Sequence, residues 1–121
     1  MMELMHDVPN GVVGVRITDT LTAEDYTSVL EPALDAAGGD RLRVLIEAPD
    51  GMPHLTAGAI GADVRMGMRR LTDFAKLAVV TDDRTLTRIM PVASALVPGE
   101  VRAWPGDSRA LAIEWLERVD D

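Results

Sequence analysis

Few residues in this 121-residue chain have the types and spacing that chemistry needs. Of its two histidines, His54 stands in the irregular stretch APDGMPHLTAG, with Glu47 and Asp50 just upstream. A carboxylate near an imidazole can move protons, so Glu47, Asp50 and His54 form one candidate hydrolytic set, although their spacing matches no triad or metal-ligand pattern. Ser28, Ser94 and Ser108 lie outside any Gly-x-Ser-x-Gly or Ser-x-x-Lys context. The absence of cysteine rules out thiol nucleophiles, Cys-type zinc sites and disulfides. Gly58, Gly61 and Gly67 spell neither a dinucleotide fingerprint nor a phosphate loop. No nucleophile, base and oxyanion donor assemble from these residues. The expected class is therefore a non-enzymatic binding or regulatory module, with no catalytic residues, no cofactor and no metal.

Residues suited to binding are easier to find. Met52, Met66, Met68 and Met90 gather around two helix-like stretches, and methionine adapts to irregular apolar surfaces. An apolar pocket is expected from Met52, Ile60, Val64, Met68, Ile89, Met90 and Ala93, under helices weakened by glycine and by Pro91 and therefore able to move. At about 100° per residue, Arg65, Met66 and Arg69 project away from the Ile60–Val64–Leu71 stripe. With Arg70 they make a surface for an anionic membrane or a partner, and Lys76 extends the basic cluster in sequence. The net charge of -8 opposes nucleic acid and resists anionic lipid at long range. Expected partners are thus a protein or a lipid-like small molecule, with peripheral membrane association or a homodimer as further forms of assembly.

These residues must be held by elements the sequence also predicts. Residues 3–8 and 12–18 flank a Pro-Asn-Gly turn signal and read as an antiparallel hairpin. Thr22 begins a helix over about 22–37, in which Pro32 predicts a kink. RLRVLIEA (41–48) reads as a central strand buried on both faces. A long connection follows, then an amphipathic helix over about 57–71, a strand KLAVVTD (76–82), a third helix and a short strand EVRAWP (100–105). Asp107 is placed to cap a last helix burying Leu111 and Trp115. The order ββαβαβαβα predicts a single α/β domain over 1–121, with a central mixed sheet and four helices. Its core should include Val13, Val15, Leu30, Val44, Ile46, Val64, Leu77, Val79, Leu111 and Trp115. The start lacks the basic and apolar regions of a signal peptide, and no run approaches the roughly 18 apolar residues of a membrane span. A cytoplasmic protein, at most peripheral to the inner face of the membrane, is expected.

The whole pattern resembles the SpoIIAA-like proteins, small bacterial relatives of the STAS domain of anti-sigma-factor antagonists and sulfate-transporter tails. The resemblance rests on VVGVRITDTLTAEDY (12–26), SVLEPALDAA (28–37), RVLIEA (43–48), RMGMRRLTDFAKLAVVTD (65–82) and PGEVRAWPGDSRALAIEWL (98–116). It implies a non-enzymatic module that binds proteins, nucleotides or lipid-like ligands, with a mobile second or third helix over an apolar pocket. STAS antagonists switch by phosphorylation of a serine at the start of the second helix. This sequence has HLTAGAIG (54–61) in place of the familiar Asp-Ser-Ser-Gly, so Thr56 is the candidate phosphosite and Ala57 stands at the acceptor position.

Overall fold

The computed structural model describes residues 1–37, 41–51, 54–58, 61–62, 65, 74–84 and 99–118. Three β-branched valines and an isoleucine between residues 12 and 17 favour an extended chain, and β2 (Val12–Ile17) pairs antiparallel with β1 (Met2–Leu4). The expected hairpin is present with a first strand shorter than 3–8. The turn closes where the Val12 N–H donates to Pro9 O, and Gly11 takes the φ of +90° that its missing Cβ allows. Residues 5–9 fold back over β2, where a Cβ on Gly14 would lie only 2.8 Å from the Val8 side chain.

The central strand is where the sequence places it. β4 (Leu42–Glu47) lies parallel to β2 on one side and to β6 (Phe74–Val80) on the other, and β7 (Glu100–Trp104) continues the sheet parallel to β6. The order is β1-β2-β4-β6-β7, a mixed sheet with one antiparallel edge. Two further strands, β3 (Thr20–Leu21) and β5 (His54–Leu55), form a separate parallel pair that the expected order lacks. Asp19, at φ 54°, turns the chain out of β2 so that Leu21 can bury itself.

The expected helix over 22–37 is a composite. α1 (Ala23–Asp25) starts on a capping box in which the Thr22 hydroxyl accepts from the Asp25 N–H and the Asp25 carboxylate accepts from the Thr22 N–H. A π-helical segment (Tyr26–Leu30) follows, then α2 (Glu31–Ala36). The Glu31 N–H reaches back to Tyr26 O just before Pro32, which has no N–H to give. The sequence predicted a kink there, and the chain instead widens by one residue so that Pro32 falls in the first turn of the next helix, where proline is tolerated.

Among the described residues the other helix of defined extent is α3 (Arg109–Glu117). The four-helix count is therefore corrected to two long helical stretches of defined extent, with helical backbone also at 57–58, 61–62, Arg65 and Arg84. Two apolar layers result. Val13, Val15, Ile17 and Val44 pack against Tyr26, Leu30 and Leu34 on one face, while Leu45, Ala78 and Val80 pack against Ala112, Trp115 and Leu116 on the other. Alternation of side chains along each strand supplies both faces at once.

Three expectations about the core change. Leu111 is 55% exposed, because α3 turns Ala112, Trp115 and Leu116 inward; Ala112 is small enough to let the helix approach β4 and β6 closely. Ile46 and Leu77 are half-buried and pack at the margin of the first layer. The cap of α3 is Ser108 rather than Asp107, with the Ala112 N–H on Ser108 O and no side-chain cap. Val64 lies outside the described residues.

Candidate functional site

The carboxyl ends of parallel strands are where α/β sheets present their functional groups. Glu47 ends β4 there, 8% exposed, on the face covered by α3. Its register partner on β2 is Arg16, whose Nε and Nη2 lie 3.0 and 2.8 Å from Glu47 Oε1. From the first turn of α3, Arg109 donates through Nε to Oε2 at 2.6 Å and through Nη2 to Oε1 at 2.8 Å. The third Arg109 nitrogen, Nη1, reaches Asp7 Oδ2 at 2.6 Å. One carboxylate thus joins β2, β4 and α3, and Arg109 adds the loop before β2.

This arrangement sets the chemistry of Glu47. The Arg109 hydrogen bonds hold its carboxyl below the usual range, outweighing burial, and Arg16 adds to the effect. In turn, the bond to Glu47 raises Arg109. A carboxylate held ionised between two guanidinium groups is an anchor and lacks the raised pKa of a general acid. Asp50 sits exposed in the turn after β4, closed by the Gly51 N–H on Ala48 O. His54 belongs to the separate β3–β5 pair, opposite Thr20.

Beyond these residues, the same edge carries Thr81, whose hydroxyl donates to Ala48 O and accepts from the Asp83 N–H, and Asp82, which accepts from the Gly106 N–H at 2.8 Å. A cavity of about 210 Å³ is lined there by Thr81, Asp82, Ala103, Trp104 and Pro105. The buried Nε1 of Trp104 has no hydrogen-bond partner among the described residues. A larger, open cavity of about 480 Å³ lies at the hairpin tip, between residues 4–14 and Ala33, Ala36 and Ala37 of the helix. Among the described residues no group of three or more acidic or histidine side chains is placed to hold a metal ion.

Of the expected binding surface, Arg65 is helical and exposed, whereas Met66, Arg69 and Arg70 lie outside the described residues. So do Met52, Ile60, Val64, Met68, Ile89, Met90 and Ala93. Around Arg65, positions 57, 58 and 61 are exposed and Ala62 is buried in the first apolar layer. Thr56 is half-buried just before this helical stretch, and its N–H donates to Leu21 O. Lys76 does not extend a basic surface. It is 1% exposed, its Nζ donates to Trp115 O and Arg118 O at 2.9 Å each, and it lies 5.1 Å from the Trp115 ring centre. Arg43 Nη1 donates to Leu116 O at 2.7 Å, so two strand cations hold the carbonyl end of α3. The one sequence signal for this role is a charged residue on an otherwise apolar strand.

A family model described as SpoIIAA-like matches residues 12–117. The chain belongs to the SpoIIAA-like family. The match takes in Arg16, Glu47 and Arg109 and leaves Asp7 outside. Among solved structures, the chain is similar to an uncharacterised protein of the DUF3478 family with a SpoIIAA-like fold from Shewanella loihica, at 20% identity and a TM-score of 0.75, covering 96% of this chain and 92% of that one. At that identity the likeness carries the fold. No curated protein matches the chain. Across this SpoIIAA-like chain no helix among the described residues is long and apolar enough to cross a membrane.

Proposed function

We propose that this SpoIIAA-like chain is a non-enzymatic binding and regulatory module that holds a lipid-like small ligand, a membrane surface or a partner protein against the helices the sequence predicts over 57–71 and 84–97. The observation that carries the reading is the split among the described positions around Arg65: Ala62 is buried in the first apolar layer, while positions 57, 58, 61 and 65 are exposed. The exposed positions put small residues beside a cation, and Met66, Arg69 and Arg70 follow Arg65 in the sequence. The state of Glu47 supports the non-enzymatic part, since its proton is held off by two arginines. Family membership fits a binding role in general. The working location is the cytoplasm, with peripheral attachment to anionic membrane.

Flotation with vesicles of anionic and of neutral phospholipid, at low and at physiological salt, tests the membrane arm. Binding to anionic vesicles that falls with salt and is lost in an Arg65→Ala, Arg69→Ala, Arg70→Ala triple variant is expected. Binding that is absent in the wild type, or unchanged in the variant, removes that arm and leaves the ligand and partner arms to native mass spectrometry and pull-down. Hydrogen exchange across 57–71 and 84–97 as slow as in β4 would remove the mobile helices.

A second reading is a phospho-switch at Thr56. The specific observation in its favour is the position of Thr56, one residue before helical backbone, where free N–H groups favour a phosphate. Unmodified Thr56 under several growth conditions, together with no change of partner in Thr56→Glu, would remove it.

A further inference from the structure

The two edges of the sheet are treated differently by the rest of the chain. On the β1 edge, the outward N–H of Met2 is taken by Asp25 Oδ1 from α1. On the β7 edge no strand among the described residues lies beyond residues 100–104. The Thr81 N–H donates to Trp104 O, so Trp104 points its backbone groups at β6. By the alternation of a strand, Glu100 and Arg102 do likewise, and Val101 and Ala103 direct their N–H and C=O groups outward. An edge that no strand among the described residues covers is a template for another strand.

From this edge and its charges we infer that a second copy of the chain docks on β7, antiparallel and centred on Val101, joining two sheets into one. Three observations choose that occupant and that register. First, a two-fold axis at Val101 sets its outward N–H and C=O against those of its symmetry mate, a doubly bonded antiparallel pair that an isologous contact can use. Second, the same register puts Glu100 of each copy opposite Arg102 of the other, twice, on one face of the sheet. A shift that sets Arg102 against itself makes a like-charge pair instead. Third, Glu100 and Arg102 are exposed and neither has an opposite charge within reach among the described residues. The Arg102 guanidinium rests over its own Trp104 ring, 4.9 Å from the centre, which holds it beside the edge.

The strand is five residues long. The area it buries is small, so the dimer is expected to be weak, with a dissociation constant in the micromolar range or above. Sedimentation equilibrium of the full chain across that range tests the inference. A mass rising with concentration from 13.1 kDa toward twice that value is expected. Glu100→Arg alone, or Arg102→Glu alone, turns both cross-strand pairs repulsive and should weaken association about tenfold or more. Mixing the two single variants restores opposite charge at every pair, so the mixture should associate at least as well as the wild type. Val101→Pro removes an outward N–H without touching the β6 ladder, and should give a monomer with unchanged circular dichroism. A wild-type chain that stays at one-chain mass at every attainable concentration overturns the inference and leaves the edge for a foreign strand. An assembly indifferent to the charge reversals, or not restored by mixing, overturns the register and the edge with it.

Discussion

At the scale of the residue, buried charge decides more than any candidate nucleophile. Glu47 is held by Arg109 and Arg16, and its depressed pKa has a definite consequence for stability. Its contribution is fully present above the unfolded glutamate pKa of about 4.3 and is lost as pH falls through the lower folded value, because the unfolded chain binds the proton first. Glu47→Gln should cost about 2 kcal/mol at neutral pH. That is less than the roughly 3–5 kcal/mol of a fully buried pair, since water reaches both arginines. Urea unfolding as a function of pH checks this: the gap between wild type and variant should narrow in acid. Lys76→Met should cost about 2 kcal/mol in the same assay, because Trp115 O and Arg118 O lose a buried donor.

At the scale of the element, α3 shows how a helix with apolar residues on most of its circumference is oriented. Leu111, Ala112, Ile113, Trp115 and Leu116 offer two stripes that share Trp115, and periodicity favours 111–115 while packing selects 112–115–116. The expected outcome is asymmetric. Leu111→Gln should change stability by no more than about 0.5 kcal/mol, and Leu116→Ala should cost about 2–5 kcal/mol, both read from denaturant midpoints. The opening of the composite helix was legible in the sequence, because Thr22 and Asp25 have the cap spacing themselves. Thr22→Ala should cost about 1 kcal/mol by thermal unfolding. The π-helical segment before Pro32 was not legible: one residue of slack depends on Tyr26 and Leu30 both reaching the core.

At the scale of the whole molecule, two apolar layers share one sheet, and β2, β4 and β6 each contribute to both. They should therefore unfold together. Trp104 and Trp115 report the layer under α3, and Leu34 lies in the other. Leu34→Ala should lower the midpoint seen by tryptophan fluorescence as far as the one seen by far-ultraviolet circular dichroism, and two separate transitions would show that the layers are independent.

What the chain determined by itself was the five strands of the main sheet and the central place of β4, since a run of valine, leucine and isoleucine without polar interruption is stable only with both faces covered. The hairpin and the Thr22 cap were equally local, each written in two or three adjacent residues. The tertiary structure alone decided the partners of Glu47, which come from positions 31 and 62 residues away in the chain, and the burial of Lys76 under a helix end 39 residues on. It also decided the facing of α3, the pairing of β3 with β5 and the place of β7 as the last strand of the sheet among the described residues. Local propensity acts through neighbours a few positions apart. Ion pairs, helix facing and strand order depend on which distant surfaces meet, and a charged side chain looks the same in sequence whether it faces water or the carbonyl end of a helix.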